Sequence, residues 1–268
     1  MKEYRNIAKE RLLAGEMTFG FQIRVFKDLE IARAISASGF HFAFIDLEHT
    51  ALDVSDASRL AIAFLESGVT PIARIPEGDY WTAGRLIDGG VQGIIVPHVD
   101  TAEQAREAVA QCKYRPLGTR WRGDASIHFG WGPHGRAGNL SEAINEVLML
   151  TVMIESEEGV ENIEEIAATE GVDVISVGSS DLTGSMGLNN DYSHPRVIAA
   201  WEKVAAAAKK NGKGLRIGGV KKPEDIARTY GLGSRMIITG NDITTMVRAM
   251  RGDLEHLRAE AEAFMRSR

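Results

Sequence analysis

The strongest constraint on this chain is an alternation. Short β-branched or apolar runs recur eight times: "TFGFQI" (18–23), "FAFID" (42–46), "TPIARI" (70–75), "GIIVP" (93–97), "LTVMIE" (150–155), "VDVISVG" (172–178), "GLRIGG" (214–219) and "RMIITG" (235–240). Stretches with helical spacing lie between them. In "DLEIARAISASG", Leu29, Ala32 and Ile35 fall on one face and Gly39 can close the helix. "TAEQAREAVAQC" opens on Thr101 as an N-cap with Glu103 and Gln104 in its first turn. "SHPRVIAAWEKVAAAAKKNG" has Pro195 near its start and Gly212 at its end. Strands alternating with helices pair in parallel through right-handed crossovers. Eight such units predict a closed (β/α)₈ TIM barrel, one domain over 1–268. A doubly wound sheet is the rival, but no G-x-G-x-x-G opens a helix after the first strand. The final segment from Asn241 reads as one or two helices. The longest interruption, 113–149, is rich in Gly, Arg, His and Trp, and an insertion of that length points to a functional loop.

Composition narrows the class. The 268 residues carry a formal net charge of -6 and no basic block, which argues against a nucleic-acid partner. A single cysteine, Cys112, excludes an internal disulfide and any Cys-based zinc cluster, and favours a reducing, cytoplasmic setting. The first sixteen residues have no apolar stretch of signal-peptide type, and no run approaches the roughly 20 residues that span a bilayer, so no membrane association is expected.

Barrel enzymes keep their chemistry at the C-terminal ends of the strands. Here the strand ends are polar: Gln22 and Arg24, then Asp46, Glu48 and His49, then Arg74, His98, Glu155, Asp181, Arg216, and Asn241 with Asp242. Glu155 and Asp181 end consecutive strands. Two carboxylates completed by water suit Mg²⁺ or Mn²⁺; two acids facing helix dipoles would look the same in sequence. His49 beside Asp46 and Glu48 suits a general base with its orientation set by an acid, or a structural histidine in a loop. Period-2 alternation sends Asp46 and Glu48 one way and Leu47 the other. Arg74 in "PIARIP" needs an anionic partner, either an enolate oxygen or a structural carboxylate. The turn Gly178–Ser179–Ser180 leads towards a helix, and its N–H groups could hold a carboxylate. Arg120 and Arg122 lie in a loop, where solvation alone would account for them.

Taken in order, "FIDLEHT…PIARIP…GGVQGIIVPHVDTAEQAREAV…YRPLGTR…VMIESEEGVENIEEIAATEGVDVISVGSSDLTGSMG" resembles the HpcH/HpaI family of class II pyruvate aldolases, over about Gly15 to Met250. The resemblance implies a (β/α)₈ barrel with an exchanged C-terminal helix and a homohexamer built as a trimer of dimers. It implies a divalent metal (Mg²⁺, Mn²⁺ or Co²⁺) on Glu155 and Asp181. It implies His49 as base, directly or through a water, with Asp46 and Glu48 in support, Arg74 on the pyruvate oxygen, and Ser179, Ser180 and Asp181 around the pyruvate carboxylate. The reaction implied is reversible cleavage of a 4-hydroxy-2-oxo acid to pyruvate and an aldehyde. The chain departs from the family pattern at Met153, where many relatives have Gln, at "GSSD" for "GPAD", and at Trp121–Arg122 inside "GTRWRG". Arg216 stands where many relatives carry an apolar residue, and with a residue of the 113–139 loop, Arg120 among them, it is expected to recognise a polar or anionic substituent at C4. An acyl-CoA lyase related to citrate lyase, and a binding protein that kept only the barrel, are the alternative readings.

Overall fold

The computed structural model describes residues 4–123, 126–131 and 139–268. Eight parallel strands follow the alternation: β1 (Thr18–Ile23), β2 (Phe42–Asp46), β3 (Thr70–Arg74), β4 (Gly93–Val96), β5 (Met149–Ile154), β6 (Val174–Gly178), β7 (Gly214–Gly218) and β8 (Met236–Asn241). The helices are α1 (Ile7–Leu13), α2 (Glu30–Ala37), α3 (Val54–Glu66), α4 (Tyr80–Asp88), α5 (Ala102–Cys112), α6 (Leu140–Val147), α7 (Glu157–Glu161), α8 (Ile163–Ala167), α9 (Ser179–Ser185), α10 (Pro195–Lys210), α11 (Pro223–Gly231) and α12 (Asp242–Arg266). Strand order runs β7-β6-β5-β4-β3-β2-β1-β8, so the sheet curls until β8 meets β7. There the Arg235 N–H donates to Leu215 O at 3.1 Å and the Ile217 N–H donates to Ser234 Oγ at 3.1 Å, which draws the seam together. The result is the expected (β/α)₈ barrel.

Two cores follow from period-2 alternation along the strands. Outward residues such as Ile45, Ala73, Ile94 and Ile175 pack under the helices. Inward residues Phe42, Phe44, Ile72, Ile95, Met149, Met153, Val174 and Met236 fill the lumen, with Ala8 of α1 closing the bottom. Gly20 faces the lumen too: a Cβ there would fall 2.1 Å from the Phe42 ring, so the aromatic fills the glycine's space.

Local signals hold at several helix starts. Thr101 and Gln104 form a reciprocal capping box on α5, and Asp53 with Asp56 does the same on α3. Pro195 is the first residue of α10. Leu29 departs from expectation: it precedes α2 and is 47% exposed, so the buried face there is Ala32 and Ile35 alone. The 113–149 interruption is not all loop, for it contains a 3₁₀ turn (Ser126–Phe129) and α6; its residues 124–125 and 132–138 lie outside the described set. The C-terminal segment is one helix. Beyond its first turns α12 is exposed, and Met246, Met250, Leu254, Leu257 and Phe264 recur along it with helical spacing. No helix among the described residues is long and apolar enough to cross a membrane.

Candidate active site

At the top of β2 and β3 the register pairs Asp46 with Arg74. The two side chains meet as a fork: Arg74 Nε donates to Asp46 Oδ1 at 3.0 Å and Nη2 to Oδ2 at 2.7 Å. Arg74 Nη1 lies 2.8 Å from Glu48 Oε2, an ion pair outside hydrogen-bond alignment. Alternation therefore persists past the strand end, with Asp46 and Glu48 on Arg74 and Leu47 in the outer core. Gln22 Nε2 on β1 donates to Asp46 Oδ2 at 3.0 Å, and the backbone N–H groups of Glu48 and His49 donate to Oδ1. Burial raises the Asp46 pKa, but the Arg74 fork, its charge and these N–H groups outweigh it and hold the carboxyl below its usual value. Burial likewise disfavours the Arg74 cation, yet Asp46, Glu48 and Glu155 together raise its pKa.

His49 follows on the loop. Its ring is exposed and its Nε2 lies 3.6 Å from Glu48 Oε2. Its carbonyl accepts from Arg24 Nη2 at 3.3 Å. The Arg24 segment is itself held: Asp242, at the start of α12, accepts the N–H groups of Arg24, Val25 and Phe26 at 2.8–3.0 Å on one oxygen. The strand-end acid of β8 thus braces the loop after β1.

Glu155, directly after β5, is 3% exposed. Burial raises its pKa, the His98 N–H and ring oppose that, and the charge of Asp181 raises it again. Gly178 provides its room: a Cβ there would fall 2.3 Å from Glu155 Oε1. His98 links the two acid groups. With its backbone at φ 52° it donates its N–H to Glu155 Oε2 at 3.0 Å, and its ring sits 3.5 Å from Glu48 Oε1 and 3.6 Å from Glu155 Oε2. His98 had been legible only as one more polar residue after a strand.

A buried carboxylate repelled by a second one is a place where a cation relieves both. Glu155 and Asp181 therefore fit a divalent metal, with water and substrate left to complete its sphere. Among the described residues no group of three or more His, Cys, Asp or Glu surrounds a single point.

His49, Arg74, Ser180, Asp181 and Arg216 line one cavity of about 840 Å³ at the barrel mouth, with Gln22, Phe44 and Met153. Ser179 is fully buried beneath it, and Ser180 hydrogen-bonds Tyr192 Oη at 3.1 Å. These serines start α9, where first-turn N–H groups have no intrahelical acceptor. Arg216 rises inside the barrel from β7, its Nη1 donating to Ser176 Oγ at 2.7 Å. Burial and the nearby Arg74, only partly opposed by the Glu155 charge, push its pKa down to about 10, which leaves it cationic at neutral pH. Arg120 stands apart: it does not line the cavity, stacks 4.6 Å from the Tyr114 ring, and pairs with Asp88. Trp121 is exposed, and Arg122 Nε donates to Ser141 Oγ at 3.0 Å.

Comparison with known proteins gives a consistent picture. A family model described as HpcH/HpaI aldolase/citrate lyase matches residues 27–249. A 4-hydroxy-4-methyl-2-oxoglutarate aldolase from Chaetomium globosum is 35% identical, covering 82% of each chain. A 5-keto-4-deoxy-D-glucarate aldolase from Klebsiella pneumoniae is also 35% identical, covering 78% of this chain and 80% of its own. Among solved structures, an HpcH/HpaI aldolase from Desulfitobacterium hafniense superposes with a TM-score of 0.85 at 28% identity, over 93% of this chain and 96% of that one.

Proposed function

We propose, for a chain that belongs to the HpcH/HpaI aldolase/citrate lyase family, that it is a carbon–carbon lyase cleaving a 4-hydroxy-2-oxo acid to pyruvate and an oxo compound, reversibly. The observation that carries this reading is one cavity lined by His49, Arg74, Asp181 and Arg216, with Glu155 held beside it. The aldolase relatives support the reaction class.

Glu155 and Asp181 would hold a divalent cation, Mg²⁺, Mn²⁺ or Co²⁺, whose charge favours an oxyanion on the 2-oxo group. The first-turn N–H groups of Ser179, Ser180 and Asp181 orient the pyruvate carboxylate. His49 takes the proton of the C4 hydroxyl as the C3–C4 bond breaks, and its exposed ring, beside Glu48, can both receive a proton and release it to solvent. The bonding pair becomes the enolate of pyruvate. Arg74, fixed by Asp46 and Glu48, presents a cation whose position is set before substrate arrives, so little reorganisation is needed as that charge develops. Protonation at C3 then yields pyruvate. His98 keeps Glu48 and Glu155 in fixed relation.

The exposed apolar stripe of α12 supports exchange of this helix between subunits, which would cover it in a dimer and, with further copies, a hexamer. The test of the reaction is exchange of the pyruvate methyl protons in D₂O. Exchange is expected with Mg²⁺, Mn²⁺ or Co²⁺, and a chelator should reduce it to the buffer rate until metal is restored. Exchange that persists unchanged in EDTA would overturn the metal-dependent reading.

A further inference from the structure

His98 holds a left-handed backbone, φ 52°, that residues with a side chain rarely adopt. β4 ends at Val96, and Pro97 has no N–H to give. The first N–H beyond the strand is therefore that of His98, and it donates to Glu155 Oε2 at 3.0 Å. The residues that follow hold it there. The Val99 N–H donates to Met153 O at 2.9 Å. The Ser156 hydroxyl donates to the Asp100 carboxylate, and Asn162 Nδ2 donates to the Asp100 carbonyl at 2.8 Å. Gln104 Oε1 accepts the N–H groups of Asp100 and Thr101. A rare conformation persists where its surroundings over-determine it, and such residues cluster at functional sites.

The two oxygens of Glu155 are thereby made unequal. Oε2 carries the His98 N–H, with the ring nitrogen Nδ1 3.6 Å away. The other ring nitrogen lies 3.5 Å from Glu48 Oε1, so the imidazole fills the space between the two acids. Oε1 lies in the notch left by Gly178 and takes no hydrogen bond among the described residues. The neighbouring notch is full. Gly218 on β7 is the register partner of Gly178, and a Cβ there would fall 2.4 Å from Arg216 Nη2. A carboxylate confined in this way presents one oxygen to a ligand rather than two.

We infer that His98 fixes Glu155 as a one-oxygen ligand, and that this makes the centre selective for small octahedral cations over Ca²⁺. Mg²⁺ demands near-octahedral geometry and keeps several waters, whereas Ca²⁺ takes roughly six to eight oxygens and accepts carboxylates that give two. Releasing Oε2 from His98 would let Glu155 turn both oxygens to a cation, which favours Ca²⁺. His98 acts through Glu155 and is a positioning residue. The inference rests on the metal-dependent reading above.

The experiment is calorimetric titration of the protein, without substrate, with Mg²⁺ and with Ca²⁺. The quantity read is the ratio of the two Kd values. The wild type should prefer Mg²⁺. His98→Val has a β-branched side chain that resists a positive φ, which withdraws the N–H. It should shift the ratio towards Ca²⁺ by roughly 10-fold or more, the scale for losing a hydrogen-bond partner of a metal ligand. His98→Gly keeps the N–H and the backbone, and should shift it less. Should the valine variant fail to fold, His98→Ala, which strains the same backbone less, should move the ratio in the same direction by a smaller factor. A merely structural role would weaken both cations alike and leave the ratio in place. An unchanged ratio in folded variants would overturn the assignment, as would a wild type that binds Ca²⁺ the more tightly. Loss of both cations in His98→Gly would also overturn it, because the ring would then be a ligand itself. Glu155→Gln separates the two levels. If it abolishes Mg²⁺ binding and the ratio does not follow residue 98, the positioning assignment alone fails. If the wild type binds no Mg²⁺, or Glu155→Gln binds it equally well, the metal-dependent reading fails and takes the inference with it.

Discussion

Arg74 and Arg216 are the same residue type on opposite walls of one barrel, and their surroundings are opposite too. Arg74, on β3, is enclosed by Asp46 and Glu48, and its position is set by the fold. Arg216, on β7, hydrogen-bonds a serine hydroxyl and makes no ion pair among the described residues, with the Glu155 charge acting on it from a distance. A charge neutralised by the protein is pre-organised and can steady a small change in charge during a reaction. A charge left outside an ion pair is available for whole-ion recognition. On the proposed reading, the contrast would place electron handling on the β2–β3 side and substrate selection on the β7 side.

The largest effect that would test this division is at His49. On the β2–β3 side, His49→Ala should lower turnover by roughly 10²–10⁴, and near-normal turnover by a folded variant would break the assignment. Next is Arg74→Leu. Its methyl-proton exchange rate should fall by roughly 10²–10³. Its stability should fall by about 3–5 kcal/mol, because Asp46 and Glu48 are left buried without their cation; urea unfolding measures this. Arg216→Leu should cost far less in the same assay, since Arg216 makes no ion pair among the described residues and its side-chain hydrogen bond is to the neutral Ser176 hydroxyl. A large loss of stability there would mean that Arg216 has a structural counter-charge.

The smallest effect is on pH. Asp46 has a folded-state pKa below its unfolded value. Its contribution to stability is therefore fully present above the ordinary carboxylate range and is lost as pH falls through the folded value. In Asp46→Asn that share of the acid-induced loss, below about pH 4, should vanish from the stability profile. A wild-type slope in this variant would show that the Arg74 fork does not set the Asp46 titration.

Much of this arrangement could be read along the chain. The eight strands lie within two residues of their apolar runs because period-2 burial and flanking turns are local properties. The start of α5 follows from Thr101 and Gln104, three residues apart. The polar ends of the strands, from Asp46 to Asp181, were likewise visible, since barrel closure sends every strand end to one rim. Partnerships were less legible. Asp46 is three residues from His49 in sequence, yet its carboxylate belongs chiefly to Arg74, 28 residues on, through β2–β3 register. His98 reaches Glu48 and Glu155 from a left-handed backbone that no periodicity announces. Arg120 looked like a loop cation and pairs with Asp88.

By itself, then, the sequence determined the alternation, the barrel and the set of chemical groups at its mouth, because each depends on residues a few positions apart. Only the tertiary structure decided which charges neutralise one another and which do not. That depends on strand register and on where two glycines, Gly178 and Gly218, leave space, and both are distances across the barrel rather than along the chain. The difference between Arg74 and Arg216 is made there.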